Sequence, residues 1–403
     1  MQIKGKKMLD KEWKVLLLCG THNDLGLIKA LRKLGAYIIM TGNICNLPGQ
    51  KYVDKYIQAD YSDKELILNI AKEYKIDAIC QCCNDFGVYT ASYIAEKLNL
   101  PGYDSYETTL TLHNKNRFKI FAEENGILSP ISRIFEKKED ALEYVKNIQY
   151  PAIIKPADAS AGNGITCVKN IKEAENAIEY AYSKSRISII LIEEFIKGTQ
   201  HGFCTFLKDK KVVACCSNNE YSIINPYRVE IDTYPADNFT QVEKILVGEI
   251  EKIAGLLELK DGIFHLQYIM KDGKPYIIEV MRRVLGNMYS VPANMLNNID
   301  WDYWEVRAKC GLSCEDFPQN IKQEGFYAYK AVLAKENGII KSIKVPKEYE
   351  KYLLSSFYIL KEGDKIENYK SQPLGFLFFM FPSDKVMKDI LIDNYNNTLV
   401  EME

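Results

Sequence analysis

Short apolar runs alternate with amphipathic stretches over the first hundred residues. Lys14 to Cys19 is a continuous apolar run, as a strand buried on both faces requires, and Gly20 breaks it. Leu25, Ile28, Leu31 and Leu34 recur at helical spacing up to Gly35. Ala36 to Met40 reads as a second strand, Asp63 to Tyr74 as a helix, Asp77 to Cys82 as a strand, and Val88 to Leu98 as a helix before Pro101-Gly102. This alternation predicts a doubly wound parallel sheet, whose ligands sit at the carboxyl ends of the strands. Those ends are Gly20-Thr21-His22-Asn23 and Cys83-Asn84-Asp85. No G-x-G-x-x-G follows the first strand, which argues against a dinucleotide site and a nucleotide-dependent oxidoreductase.

The pattern then changes. Tyr106 to Asn125 reads as a polar, basic helical connector. Strands Ile131 to Phe135, Ala152 to Lys155, Ile165 to Val168 and Ile187 to Ile192, with helices Glu139 to Lys146 and Ile171 to Tyr182, predict a small lid-like α+β subdomain. A strand-rich region follows to about Gly311, and the segment from Phe317 has short strands and a closing helix, Lys385 to Asp393. The expected fold class is a mixed α/β and α+β multidomain protein, divided at 1–112, 113–192, 193–316 and 317–403.

The stretch Gly262 to Arg283 organises the rest. Asp272-Gly273 between two alternating runs is a strong hairpin signal, because both turn residues must tolerate positive φ. His265, Gln267 and Ile269 are expected on one face of the first strand, and Ile277, Glu279 and Met281 on one face of the second. Glu279 lies among Ile, Val and Met, where a lone carboxylate is costly, and Arg282 and Arg283 follow. That grouping suggests a metal-phosphate site; an edge-strand Glu paired with Arg282 at a solvated rim explains it equally well.

Composition narrows the field. Of 403 residues, 47% are hydrophobic and 26% charged, with a formal net charge of -2, so nothing biases the chain toward nucleic acid or an anionic membrane. The charged first residues precede no long apolar run, so neither a signal peptide nor a membrane span is expected. Eleven cysteines include Cys80-Gln81-Cys82-Cys83 and Cys215-Cys216, both in strand-like runs with no second pair at zinc spacing. They read as reduced, mostly buried thiols of a cytoplasmic protein.

Three further stretches carry candidate chemistry. The loop Asp158 to Gly164 is rich in Ala, Ser and Gly, which lets backbone amides approach phosphate oxygens, although a plain turn has the same composition and there is no Walker A loop. Lys155 ends an apolar strand with its ammonium aimed at that loop, or snorkels at a sheet edge. Glu193-Glu194-Phe195-Ile196-Lys197-Gly198 offers an apolar slot, backbone edges and carboxylates for a nucleoside, or is a charged strand end with a Gly turn.

The order of these pieces is more specific than any one of them. Lys115, Pro-x-x-x-Lys155-Pro, the small-residue loop, Glu-Glu-Phe-Ile-x-Gly and Phe-His-Leu-Gln…Asp-Gly-Lys-Pro-Tyr-Ile-Ile-Glu279…Arg283 together resemble the ATP-grasp superfamily. The likeness is greatest to its carboxylate-amine ligases and the carbamoyl-phosphate synthase and biotin carboxylase branches, and it covers nearly the whole chain. It implies a Rossmann-like pre-ATP-grasp domain, an ATP-grasp lid and central domain, and a small β-rich C-terminal domain. It also implies ATP and Mg2+ as cofactors, and an enzyme that activates a carboxylate as an acyl phosphate and joins it to an amine. A non-catalytic nucleotide-binding relative is the alternative. Carried over by residue, Lys115 and Lys155 match phosphate-binding lysines, and Ser160, Gly162 and Gly164 belong to the mobile phosphate-covering loop, 157 to 165. Glu193, Glu194 and Ile196 match the adenine hinge. Glu279 matches the magnesium ligand, Gln267 stands at the first-strand ligand position, and Arg283, with Lys155, matches the catalytic groups on the transferred phosphoryl. Three departures stand out: Gln267 where Glu is usual, Met281 where Asn is usual, and Gln200 where an acidic residue is usual. Substrate contacts are expected from Asn84, Asp85, Arg228, Arg282 and Asn287, with Tyr289; Arg228 reads equally as a surface loop residue. The absence of a biotin-accepting Met-Lys-Met turns the reading away from a biotin-dependent carboxylase. The expected partners are a small-molecule carboxylate and an amine, with no nucleic acid and no membrane; the oligomeric state stays open, although homodimers are common in the resembling families.

Overall fold

In the computed structural model, which describes residues 12–159, 162–319, 321–370, 372–395 and 399–403, the alternating leading segment forms a four-stranded parallel sheet. Its order is Lys55–Gln58, Tyr37–Gly42, Lys14–Leu18, Ala78–Cys80. Helices Leu25–Lys33, Lys64–Tyr74 and Asp85–Leu98 flank it. The strand expected over 77–82 stops at Cys80. Beyond it the Cys83 amide donates to Asp24 Oδ1 (2.9 Å) and Asn84 caps the next helix by accepting from the Phe86 amide (2.9 Å). A side-chain cap here takes over from the strand ladder.

The lid is a four-stranded antiparallel sheet ordered Ser132–Phe135, Ile190–Glu194, Ala152–Pro156, Thr166–Val168, backed by Lys138–Tyr144 and Ile171–Lys184. The strand expected over 187–192 lies later. Ser188 takes a left-handed φ of 56°, and the ladder runs on to pair Glu194 with Ala152. Strand alternation therefore buries Glu193 and exposes Glu194.

The remaining strands form an eight-stranded antiparallel sheet. Its order is Lys274–Met281, Gly262–Lys271, Thr199–Lys208, Lys211–Tyr221, Ile231–Tyr234, Phe326–Val332, Gly375–Phe381, Leu353–Tyr358. Helix Phe239–Leu256 covers one face through Val242, Leu246, Ile250 and Ile253. Ile231–Tyr234 pairs with Phe326–Val332, so the sheet continues across position 316. A small three-stranded sheet, Lys365–Ile366, Gly338–Ile343, Val400–Met402, packs beside its far end. Among the described residues no helix is long and apolar enough to cross a membrane.

The hairpin forms where the Asp-Gly pair predicts it, with φ of 49° at Asp272 and 77° at Gly273. Its second strand departs from simple alternation. Gln267 pairs with Glu279 but Tyr268 pairs with Ile277, which leaves Ile278 as the extra residue of a β-bulge. Ile277, expected to share a face with Glu279, instead turns into the core under helix Phe239–Leu256. Ile278, Glu279 and Met281 face the cleft.

Candidate active site

A cleft of about 490 Å³ lies between the lid sheet and the hairpin end of the large sheet. Apolar lining comes from Ile153 of the lid, Ile196 after it, and Ile269 and Ile278 of the hairpin, with Glu194 and Phe195 at the exposed rim. The basic groups enter from three directions.

Lys115 opens helix Lys115–Glu124. Its Nζ lies 2.9 Å from Glu279 Oε1 and donates to the Ala159 carbonyl at 3.0 Å, so one ammonium ties hairpin to lid loop. Burial pulls the Lys115 pKa down, but the carboxylates of Glu279, Asp85 and Glu193 outweigh it and leave the pKa raised. Burial likewise pushes Glu279 up, and Lys115 overrides this to hold it below the usual carboxylate range.

Lys155 is aimed at its own sheet rather than at the loop. Its Nζ sits 2.7 Å from Glu193 Oε2, and buried Lys119 sits 3.5 Å from the other oxygen. Two ammonium groups on one carboxylate leave net positive charge under the cleft. Burial drags Lys119 down to about 8, while Glu193, pushed up by burial, is held low by the two lysines.

Arg283 is fixed by the leading domain. Its Nε donates to Asp85 Oδ1 at 2.8 Å, and His113 Nδ1 reaches the same oxygen at 3.2 Å. His113 Nε2 accepts from the Arg282 amide at 3.1 Å, which places the ring proton on Nδ1, facing Asp85. Burial pushes the Asp85 carboxyl up, yet Arg283 and His113 hold it well below its ordinary value. Asp85 thus reaches the cleft as the anchor of Arg283.

The other expected site residues divide. Asn84, Gly162, Gln267, Arg228, Asn287 and Tyr289 line the cleft. Gly162 needs to be glycine: its φ is 75°, and a Cβ there would meet the Tyr227 carbonyl oxygen at 2.6 Å. Gly164 turns away against Pro156, and Ser160 lies outside the described residues. Arg282 is a correction to the substrate contacts. It is 2% exposed, and its guanidinium binds Asp104 Oδ2 at 2.9 Å and the carbonyls of Ile263 (2.6 Å) and Lys260 (2.7 Å). Strand alternation sends it behind the sheet, where it bolts the hairpin to the leading domain. The pairing of Glu279 with Arg282 at a solvated rim fails for the same reason.

Among the cleft residues that carried no role in the sequence reading are Asn218, Glu220, Asp232 and Tyr234. Their signal is the alternation N-x-E in one strand and I-D-T-Y in the next. His265 lines the cleft beside Gln267, as the period of two requires.

For a metal, the donors are few. Glu279 supplies a carboxylate and Gln267 an amide oxygen, while the Met281 sulfur accepts from Arg283 Nη2 at 3.5 Å. Among the described residues no three His, Cys, Asp or Glu side chains group at metal-binding spacing. One carboxylate with phosphate and water oxygens fits magnesium, which often keeps several waters; a soft thioether does not.

In this multidomain α/β protein Lys115 faces Glu279 of the hairpin, Lys155 faces Glu193 of the lid, and all four line one cleft with Arg283. Residues 113–287 match the family known as the ATP-grasp domain, and the chain carries such a domain. Among curated proteins it is 23% identical over 262 residues to the carbamoyl phosphate synthase large chain of Clostridium beijerinckii, covering 64% of this chain and 24% of that one. The chain therefore spans about a quarter of that relative's length. Among solved structures, an L-amino acid ligase from Bacillus licheniformis superimposes with a TM-score of 0.82 at 19% identity, covering 98% of this chain and 100% of that one. N5-carboxyaminoimidazole synthetase from Staphylococcus aureus, solved with ADP, gives 0.75 at 15% identity, covering 96% and 98%.

Proposed function

We propose that the chain is an ATP-dependent ligase that activates a substrate carboxylate as an acyl phosphate and couples it to an amine. The observation that carries this reading is the convergence of Lys115, Lys155, Glu279 and Arg283 on one cleft beside an apolar slot. In this reading a carboxylate oxygen attacks the γ-phosphorus of ATP and the bond to ADP breaks. The amine then attacks the acyl carbon, phosphate leaves, and the amine gives up a proton. Positioning and charge neutralisation dominate such a transfer. Magnesium on Glu279, with the Gln267 carbonyl beside it, would draw charge from the phosphate oxygens. Lys115, released from Glu279, and Lys155 balance the same oxygens. Arg283, held in place by Asp85, faces the charge that builds on the transferred group. Lys115 bonded to Ala159 draws the lid loop over the cleft, which keeps water from the acyl phosphate. A cytoplasmic homodimer is the assembly in this reading, to be checked by sedimentation.

The test is coupled ADP release with MgATP and pools of carboxylates and amines, wild type beside Glu279→Ala. Release should need both pools and fall by about a hundredfold or more in the variant. Release at the wild-type rate in Glu279→Ala would remove Glu279 from the mechanism. MgATP bound tightly by calorimetry with no ADP formed would favour the nucleotide-binding relative.

A further inference from the structure

Two carboxylates on the cleft wall are given no nucleotide contact in the ligase reading. Glu220 and Asp232 stand directly opposite each other on adjacent antiparallel strands. Like charges in that position repel, and a buried carboxylate is costly without a cation. Asp232 is 1% exposed. Their partners among the described residues are neutral amides. Asn218 Nδ2 donates to Asp232 at 3.0 Å, while Gln200 Nε2 and Gln267 Nε2 donate to Glu220 at 2.7 and 2.8 Å. Burial pushes both carboxyls up; Glu220 raises Asp232 further, and Glu279 raises Glu220. The pair is folded over Gly202, where a Cβ would stand 2.5 Å from Asn218 Oδ1 and 3.1 Å from Glu220 Oε1.

A second observation comes from the same wall. His265 is 6% exposed, and its Nε2 is buried with no hydrogen-bond partner among the described residues. Burial, and then the charge of Arg283, push its pKa to about 3, so the ring is neutral. A buried ring nitrogen on a cleft wall calls for a hydrogen bond to a ligand, and a neutral ring with its proton on Nε2 can donate one to a carboxylate. Asn219 pairs with His201 and His201 with Tyr268, so Glu220 falls near the row of Ile269, about 13 Å along the strand direction from His265. An anion-binding end (His265, Arg283) thus lies on the same cleft wall as the acidic pair, with Gln267, whose amide holds Glu220, between them.

We propose that Glu220 and Asp232 form a subsite for a primary ammonium on the acid that is activated, so that this acid is a zwitterion of amino-acid type whose carboxylate lies toward His265 and Arg283. This rests on the ligase reading and deepens it. An ammonium, with three donors, takes the free lone pairs and leaves the amides of Gln200 and Gln267 in place. A metal ion would face those same N–H groups. The bound amine stays protonated, so the nucleophile must be the second substrate.

The experiment compares wild type with Asp232→Asn and Glu220→Gln. Hydroxylamine replaces the amine, and hydroxamate is measured with a pool of L-amino acids or a pool of the matching acids lacking the amino group. Hydroxamate from amino acids alone, with KM raised about tenfold or more in both variants and MgATP affinity unchanged in Asp232→Asn by calorimetry, is expected. Equal hydroxamate from both pools, or an unchanged KM, overturns the subsite and leaves the ligase reading standing. Loss of a bound Mn2+ from the variants by electron paramagnetic resonance makes the pair a metal site and also overturns it. No hydroxamate from either pool is a failure of the ligase reading. The melting temperature with MgADP then decides: stabilisation of wild type by the amino-acid pool that Asp232→Asn lacks retains the subsite, and equal or absent shifts overturn it.

Discussion

Arg282 and Arg283 are neighbours in the chain and serve opposite faces of one sheet. Arg283 points into the cleft against Asp85, and Arg282 is buried behind it against Asp104. Arg282→Ala should therefore act on stability, leaving Asp104 the Lys260 amide but no guanidinium, and costing about 3–5 kcal/mol in denaturant titration. Arg283→Ala should lower ADP release with a far smaller loss of stability. A second residue-scale prediction concerns Asp302, whose carboxyl accepts from Ser290 Oγ at 3.2 Å and packs against Gly26. Burial raises its pKa from 3.8 to about 7. The native state then holds a proton that the unfolded chain releases. That contribution is fully present below pH 3.8 and is lost as the pH rises through 7. Asp302→Asn should match wild type near pH 4 and exceed it by up to ~4 kcal/mol at pH 8 in thermal unfolding. At this scale the sequence pointed to Lys155 and Glu279, because a charge inside an apolar run is conspicuous, and to Lys115, in the polar run His113 to Arg117, only through the resemblance. It hid Glu220 and Asp232, because polar residues at every second strand position look like a solvated face. It misplaced Arg282, because spacing does not tell a guanidinium in a site from one behind it.

The hairpin was legible as an element because Asp-Gly fixes its turn. Its bulge was not: no residue type marks Ile278 as the extra one, and a period of two drawn through Ile277 and Glu279 crosses it unseen. The bulge puts Ile278 and Glu279 side by side on the cleft face. Deleting Ile278 leaves Gln267 opposite Glu279 and Tyr268 opposite Ile277 in a regular ladder, so Glu279 keeps its face and the cleft loses one apolar wall residue. MgATP affinity by calorimetry should fall while ADP release persists at saturating MgATP and circular dichroism still reports a folded protein. The strand ending in Glu193 and Glu194 came out displaced for a related reason: its start is set by the left-handed turn at Ser188, a residue with no strong preference for it.

In the whole molecule, three bodies share the cleft, and polar contacts tie them across it. The leading domain anchors Arg283, Lys115 holds the lid loop, and Tyr227 of the large sheet's loop accepts from the Cys167 amide of the lid at 2.7 Å. Tyr227→Phe removes that last tie. In the variant, amide hydrogens of 162–168 should exchange faster, and MgATP should slow them in wild type; equal rates throughout would refute a closing role. The leading sheet and lid were readable from periodicity, since each is local in sequence. The large sheet was not, because its pairing of Ile231–Tyr234 with Phe326–Val332 joins distant segments, and a boundary drawn at 316 passes between two hydrogen-bonded strands.

That shared sheet has a consequence for synthesis. As the chain leaves the ribosome, the leading domain, lid and hairpin can all form while Ile231–Tyr234 still presents an open edge. The edge closes only when residues 326–332 emerge, and Asp232 lies on it. The wall proposed to select the substrate is thus the last part of the cleft to be set. A chain halted at 316 would carry the nucleotide-facing lysines and a bare strand edge, a form prone to bind its own kind before it can bind anything else.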